Sequence, residues 1–137
     1  MSVQEKIKII KDQSSYLDSL EKEHVTHTIK HTIYELEKIN LFTDQELEDL
    51  NKVILTAELF NNLYFKYNQQ RLKNSGVIYL DEDEDHQFAL SLLLNFKLRI
   101  PLVVFLHNDR QKKCYDLFIQ TLKENNIENL FLATLNA

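Results

Sequence analysis

The sequence predicts a helix-rich α+β fold built as a single domain over residues 1–137. Apolar residues recur at helical spacing over residues 1–75, and after Gly76 short β-rich runs alternate with helical segments. The chain also contains a single glycine and a single proline. Because tight hairpin turns need residues with positive φ, this composition argues against a sheet built from hairpins.

Residues 1–75 are predicted to form a long antiparallel helical hairpin. Ser2 and Glu5 have the spacing of a capping box, and apolar positions follow at helical spacing as far as Ile39. A second capping box, Thr43 and Glu46, begins a second helix after a connection of only a few residues. A connection this short predicts that the two helices are antiparallel. A pair of serines near residue 14 marks a place where the first helix could kink or break.

Residues 76–137 are predicted to form a β-α-β-α-β segment with a small three-stranded sheet. Gly76 is expected to cap the end of the hairpin, and Asp85 to cap the first helix that follows. Alternation of strands with helices favours parallel pairing, with the helical hairpin covering a face of the sheet. The predicted strands are 77–80, 101–106 and 130–134, and the predicted helices are 86–97 and 110–123.

Composition and charge exclude several classes of function. Neither glycine-rich phosphate-binding motif can be written with one glycine. The net charge of −5, with lysine and arginine spread evenly, argues against a nucleic-acid surface. The single cysteine, Cys114, rules out an internal disulfide and is expected to be buried or half-buried on a helix. No nucleophile motif stands out, so we expect no catalytic residue, no enzyme activity and no cofactor.

The chain is expected to be cytoplasmic, with no membrane partner. Its N-terminus lacks the uninterrupted apolar stretch of a signal peptide. The most apolar window, residues 88–106, contains Lys97, Arg99 and Pro101, which a membrane-spanning helix tolerates poorly.

Three histidines, His24, His27 and His31, lie along one edge of the first predicted helix with Leu17 and Tyr34. His27 and His31 are four residues apart and could supply two ligands to a metal ion. His24 and His31 are about 10 Å apart along the helix axis, so the three cannot share one ion, and we expect no essential metal. The other hypotheses are a packed or solvated helix edge and an interface, most simply that of a homodimer.

The acidic run Asp81–Asp85 follows the first predicted strand. Its plain interpretation is a solvated turn that ends in a helix N-cap. Carboxylates at strand ends also bind hard cations in phosphoryl-transfer sites, and His107 and Asp109 follow the next strand. The sequence therefore leaves open a metal-dependent phosphoryl-transfer or nuclease-like enzyme, which clustering of these carboxylates at the strand ends would favour.

Two segments resemble known families. Residues 77–96, VIYLDEDEDHQFALSLLLNF, resemble the opening of a response-regulator receiver domain, but the later residues that such a domain needs have no counterpart, so receiver function is rejected. The runs IYLDEDED, IPLVVFLHND and CYDLFIQTLKENNIENLFLAT make residues 77–135 similar to the C-terminal domain of the ExbD/TolR family. That resemblance implies the fold of this segment only, because the chain lacks the family's membrane helix and the Asp within it. Residues 1–76 resemble no family.

We expect a non-enzymatic protein-binding module that acts as a regulator, inhibitor or adaptor of another protein. Small, acidic, glycine-poor chains of this kind are common among phage and mobile-element proteins. The expected partner is another protein or a second copy of the chain, and no nucleic acid. A sensor that holds a small apolar molecule between its helices is the third alternative.

Overall fold

The computed structural model describes residues 2–54 and 77–136. The helix-rich α+β class predicted from the sequence is confirmed. A fourth helix, α4, covers 44–54 and reaches the end of the first described range. The other elements are α1 (Val3–Lys11), α2 (Ser14–Ser19), α3 (Lys22–Lys38), β1 (Ile78–Leu80), α5 (Asp85–Lys97), β2 (Leu102–Leu106), α6 (Asp109–Glu124) and β3 (Leu132–Asn136).

The three strands form one parallel sheet in the order β1-β2-β3. Leu102 in the central strand is paired with Ile78 on one side and Leu132 on the other. The β-α-β-α-β order is therefore as predicted. Because parallel crossovers are right-handed, two successive crossovers in this strand order place α5 and α6 on the same face.

Helix α5 is the centre of the main core. It contacts β1, α6 and α3, so it is enclosed between the sheet and a further layer of helix. Phe96 packs its ring against those of Phe118 and Phe131, with ring centroids 5.4 and 5.8 Å apart. A helix that is apolar on all sides is stable in water only when both of its faces are covered. Its buried residues are Phe88, Ala89, Ser91, Leu92, Leu93, Leu94, Asn95 and Phe96.

The opposite face of the sheet is covered by α1. Ile7 and Ile10 pack against Val77, Val103 and Ala133 in a separate, smaller apolar cluster. The expectation that the helical hairpin covers the sheet is thus only partly right. α1 lies on the sheet, whereas α3 packs on α5 and α6 and forms an outer layer.

The predicted first helix is three helices rather than one. The serine pair marks the first break, where the Ser14 hydroxyl donates to the carbonyl of Lys11 at 3.0 Å. The second break is at Leu20, whose extended backbone is held by the Arg99 guanidinium, 3.0 Å from the Leu20 carbonyl. With these breaks, α1 packs on one face of the sheet and α3 packs on the helices that cover the other face.

The predicted helix caps are mostly confirmed. Glu5 donates its backbone N–H to the Ser2 hydroxyl at 3.2 Å. Thr43 and Glu46 cap each other reciprocally, at 3.1 and 2.9 Å. Asp85, expected as an N-cap, is instead the first residue of α5. Gly76 and the rest of the second hairpin arm beyond residue 54 lie outside the described residues.

The scarcity of glycine is visible at the helix ends. Asn40, Arg99 and Asn126, which follow α3, α5 and α6, have φ values of 55°, 63° and 61°. Asparagine tolerates this left-handed conformation better than most residues. Arg99 is held there by its side chain, which donates to the carbonyl of Lys97 at 2.8 Å as well as to that of Leu20.

Replacing Phe96 by alanine tests whether α5 is the centre of the core. The ring is 1% exposed, so we expect Phe96→Ala to lower the free energy of unfolding by about 3–5 kcal/mol. Ile9→Ala is the matched control, because Ile9 is 48% exposed and its loss is expected to cost less than about 0.5 kcal/mol. Urea unfolding followed by circular dichroism measures both, and equal losses would contradict the assignment.

Candidate functional site

Two polar loops meet at the carboxyl edge of the sheet. Asp81 directly follows β1, and His107 directly follows the neighbouring strand β2. Because the two strands are parallel, the loops after them lie side by side. In open α/β sheets this edge is where ligands bind.

Three side chains at this edge come close enough to hold one cation. The Nε2 of His107 is in hydrogen-bond contact with a carboxylate oxygen of Asp81. Its Nδ1 lies 3.7 Å from a carboxylate oxygen of Asp83. The three side chains each offer one ligand atom, and these atoms all lie within 4.8 Å of one another. The Asp83 side chain is 98% exposed, so solvent reaches the group, which we call the carboxyl-edge cluster.

A buried glutamine holds the two loops together. Gln111, fully buried in the first turns of α6, accepts a hydrogen bond from the backbone N–H of His107 at 3.0 Å. Its amide donates to the carbonyl of Glu82 at 2.7 Å, in the other loop. Its own N–H donates to the Asn108 side chain, which caps α6. One side chain without access to water therefore fixes the spacing of Asp81 and His107.

The sequence alone did not indicate a role for Gln111. A glutamine four residues after a histidine carries no recognisable motif. Its role depends on a contact with Glu82, 29 positions earlier in the chain.

The remaining acidic residues of the run have different surroundings. Asp85 accepts a hydrogen bond from Asn108 at 2.8 Å and lies 3.5 Å from the Nε of Arg110. Arg110 also donates to the carbonyl of Leu41, which ties this edge to the middle of the α3–α4 connection. Asp85 is thus part of the structural link between the loops, although it is not the helix N-cap that the plain interpretation of the acidic run expected. Asp109, at the start of α6, lies outside the carboxyl-edge cluster.

The three histidines on the edge of α3 have different surroundings in the folded chain. His24 Nε2 is 2.6 Å from the carbonyl of Asn125, and His31 Nδ1 is 3.0 Å from the Asn125 side-chain amide. Both histidines therefore bind the end of α6 within the same molecule. Leu17, predicted at the interface, is 0% exposed and cannot reach a partner. Only His27 and Tyr34 are exposed, and an interface through them stays a prediction.

Cys114 is on α6 and is buried, as expected. Burial raises the pKa of its thiol to about 12, and the charge of Asp85 adds to this effect. Because the thiolate is the reactive form, Cys114 is unsuited to act as a nucleophile at neutral pH.

Comparison with known proteins identifies no relative. No family model matches the sequence, no curated protein matches it, and no solved structure matches its fold. The resemblance of residues 77–135 to the ExbD/TolR family stays a prediction. Among the described residues, no helix combines the length and apolar character that crossing a bilayer requires.

Thiol titration tests the environment of Cys114. A pKa raised from 9.0 to about 12 lowers the thiolate fraction at pH 8 by roughly three orders of magnitude, so we expect a thiol reagent to react that much more slowly with the folded chain than with the chain in urea. Stability depends on pH here as it does for any acid whose pKa is raised by burial. Its contribution to stability is complete below the ordinary thiol pKa and is lost as the pH rises towards about 12. Rapid labelling of the folded chain at pH 8 would contradict the burial.

Proposed function

We propose that this chain binds a divalent cation at Asp81, Asp83 and His107, as the metal-dependent enzyme hypothesis requires. The observation that carries the proposal is the convergence of three ligand atoms, from two neighbouring strand ends, within 4.8 Å. This arrangement is the carboxylate clustering by which the enzyme hypothesis differs from a plain acidic turn. The histidine edge of α3, on which the expectation of no essential metal was based, is a different place in the molecule.

The ligand set favours a transition metal over calcium or magnesium. Calcium and magnesium prefer sites made only of oxygen ligands, whereas an imidazole with two carboxylates suits manganese, zinc or ferrous iron. Three protein ligands leave coordination positions open, which is typical of catalytic rather than structural sites. A cation bound there would activate a water molecule and polarise a phosphoryl oxygen. The corresponding reaction class is hydrolysis or transfer of a phosphoryl group.

The negative charge at the carboxyl edge of the sheet limits the class of substrate that could bind there. Residues 81–85 contribute five carboxylates and residues 107–109 contribute one, and neither segment contains lysine or arginine. Arg110, the nearest cation in sequence, is paired with Asp85. A surface with this charge repels a polyanion. Within the enzyme hypothesis we therefore favour a small phosphate ester over a nucleic acid.

Metal titration of the chelator-treated protein tests the proposal. We expect saturable binding of Mn²⁺ or Zn²⁺ by calorimetry, and we expect Asp81→Asn or His107→Gln to weaken it by more than the about 10-fold to 100-fold typical of losing an outer-shell partner. Asp116→Asn is the matched control, because it removes one carboxylate that is 58% exposed and that lies outside the carboxyl-edge cluster, in an ion pair with a neighbouring lysine of α6. Affinity that falls equally in the control, or no binding at millimolar metal, would refute a site at the carboxyl-edge cluster.

Phosphoryl-transfer activity is tested by an assay separate from that of metal binding. Hydrolysis of p-nitrophenyl phosphate and its bis-ester is measured with and without the bound metal. Activity that needs metal and disappears in Asp81→Asn supports the enzyme hypothesis. Metal binding without any turnover rejects the reaction class and leaves the cation site in place.

The second candidate is the protein-binding regulator, inhibitor or adaptor expected from the sequence. The observation that favours it is an open groove between the end of α6 and the start of β3, lined by Ile119, Ile127 and Leu130. Leu130 is 53% exposed and so presents apolar surface at this groove. Exposed apolar side chains in a groove are typical anchors for a partner. The homodimer through His27 and Tyr34 belongs to the same candidate.

A photo-crosslinking amino acid at position 130 tests this candidate in extracts of the source cells. We expect one discrete cross-linked partner, and we expect Ile119→Asp in the same chain to abolish it. The control places the crosslinker at position 9, which has a similar exposed fraction of 48% on α1. The same products from both positions, or no product at position 130, would reject the groove as a binding surface.

Over residues 2–54 and 77–136, no observation favours the sensor hypothesis. The groove beside Leu130, a second beside Phe42 and His86, and a third beside His27 are all open to solvent. An enclosed apolar cavity is what a sensor of this kind would need.

A further inference from the structure

Strand β3 lies at the edge of the sheet, and within residues 2–54 and 77–136 no other strand pairs with its outer side. The N–H of Leu102 donates to the carbonyl of Phe131 at 3.0 Å, and Leu102 is in register with Leu132. In a parallel ladder a residue bonds to the two neighbours of its partner, so Phe131 and Ala133 direct their backbone groups towards β2. Leu132 and Thr134 therefore direct theirs away from the sheet, where the N–H of Leu132 donates to the carbonyl of Asn129 at 3.0 Å. An edge of this kind is a template for another strand.

One lysine occupies this edge. The Nζ of Lys6, on α1, donates to the carbonyl of Thr134 at 2.5 Å. The contact joins residues 128 positions apart, and the Lys6 side chain is half-buried. Within the described ranges no carboxylate pairs with Lys6, so its ammonium is directed at a backbone group rather than at a charge.

The position of Lys6 follows from the packing of α1. Ile7 and Ile10 place α1 against the face of the sheet that includes Ala133 and Leu135. Lys6 lies at the outer side of this contact, and its long side chain reaches past the strand to the carbonyl of Thr134. A strand added to β3 would have to displace this ammonium or bury it without a partner.

We propose that Lys6 blocks strand addition at β3, and that the strand it excludes is β3 of a second copy of this chain. Leu132–Asn136, with the sequence LATLN, contains no charge and no proline of its own to protect it. Among the described residues the Leu132 carbonyl and the Thr134 N–H have no partner, and the Thr134 carbonyl is bound only by Lys6, so two such edges related by a two-fold axis offer each other the same groups once Lys6 is removed. The exposed Leu130, just before the strand, would add apolar area to the contact.

Replacing Lys6 by methionine tests the proposal. Methionine keeps the length of the side chain and removes the ammonium. We expect Lys6→Met to raise the weight-average mass from light scattering towards twice that of the unmodified chain at the same concentration. Lys8→Met is the matched control, because Lys8 is an exposed lysine on the same helix. An unchanged mass for Lys6→Met, or an equal rise in the control, would overturn the proposal.

A second substitution locates the contact. Thr134→Pro removes an outward N–H, which takes no part in pairing with β2, and proline is tolerated on an edge strand. We expect Lys6→Met with Thr134→Pro to return to the mass of the unmodified chain. Persistent association would show that β3 is not the contact. Circular dichroism checks that each variant is folded, and Lys6→Ala, expected to associate as well, replaces Lys6→Met if methionine prevents folding.

Discussion

The fold depends on the burial of α5 on all sides. Eight of its residues are buried, and they include Phe88 and Phe96 on opposite ends of the helix. Each large apolar side chain stabilises the fold by about 1.5–3 kcal/mol when it is removed from water. Packing against a single surface would leave the other side of α5 exposed and lose part of this stabilisation. The sheet covers one side of α5 and α3 covers the other. α1 is then left to cover the opposite face of the sheet.

The same arrangement creates the polar edge of the molecule. With α5 and α6 on one face, the loops after β1 and β2 emerge side by side, and both helices begin there. Gln111 is buried at this junction, and its hydrogen bonds satisfy backbone groups of both loops. Buried polar groups of this kind are costly to leave unpaired, so they hold the loops in one arrangement. The rigid core thus supports exposed acidic side chains in a defined geometry.

The contact of α3 with α6 explains why polar residues lie on a helix face that looked available for a partner. Thr32 and Thr121 share a buried hydrogen bond of 2.6 Å between their hydroxyls. His24 and His31 both bind Asn125, which caps the end of α6. Polar side chains can occupy such a seam because each finds a partner across it. The described surface outside this seam includes His27 and Tyr34, Leu130, the carboxyl edge and the outer side of β3.

The class of fold, the order of strands and helices over residues 77–136, and the N-caps at Ser2 and Thr43 could be predicted from the sequence, because local periodicity and side-chain-to-backbone bonds depend on neighbours in the chain. The sequence also placed Asp81 and His107 at strand ends. Tertiary structure alone decided that Asp83 joins them, that Gln111 ties their loops together, and that α1 separates from α3. It also decided that Leu17 is buried and that Lys6 reaches Thr134, 128 positions away. These outcomes depend on which surfaces pack together to bury α5, and helical spacing along the chain carries no information about that choice.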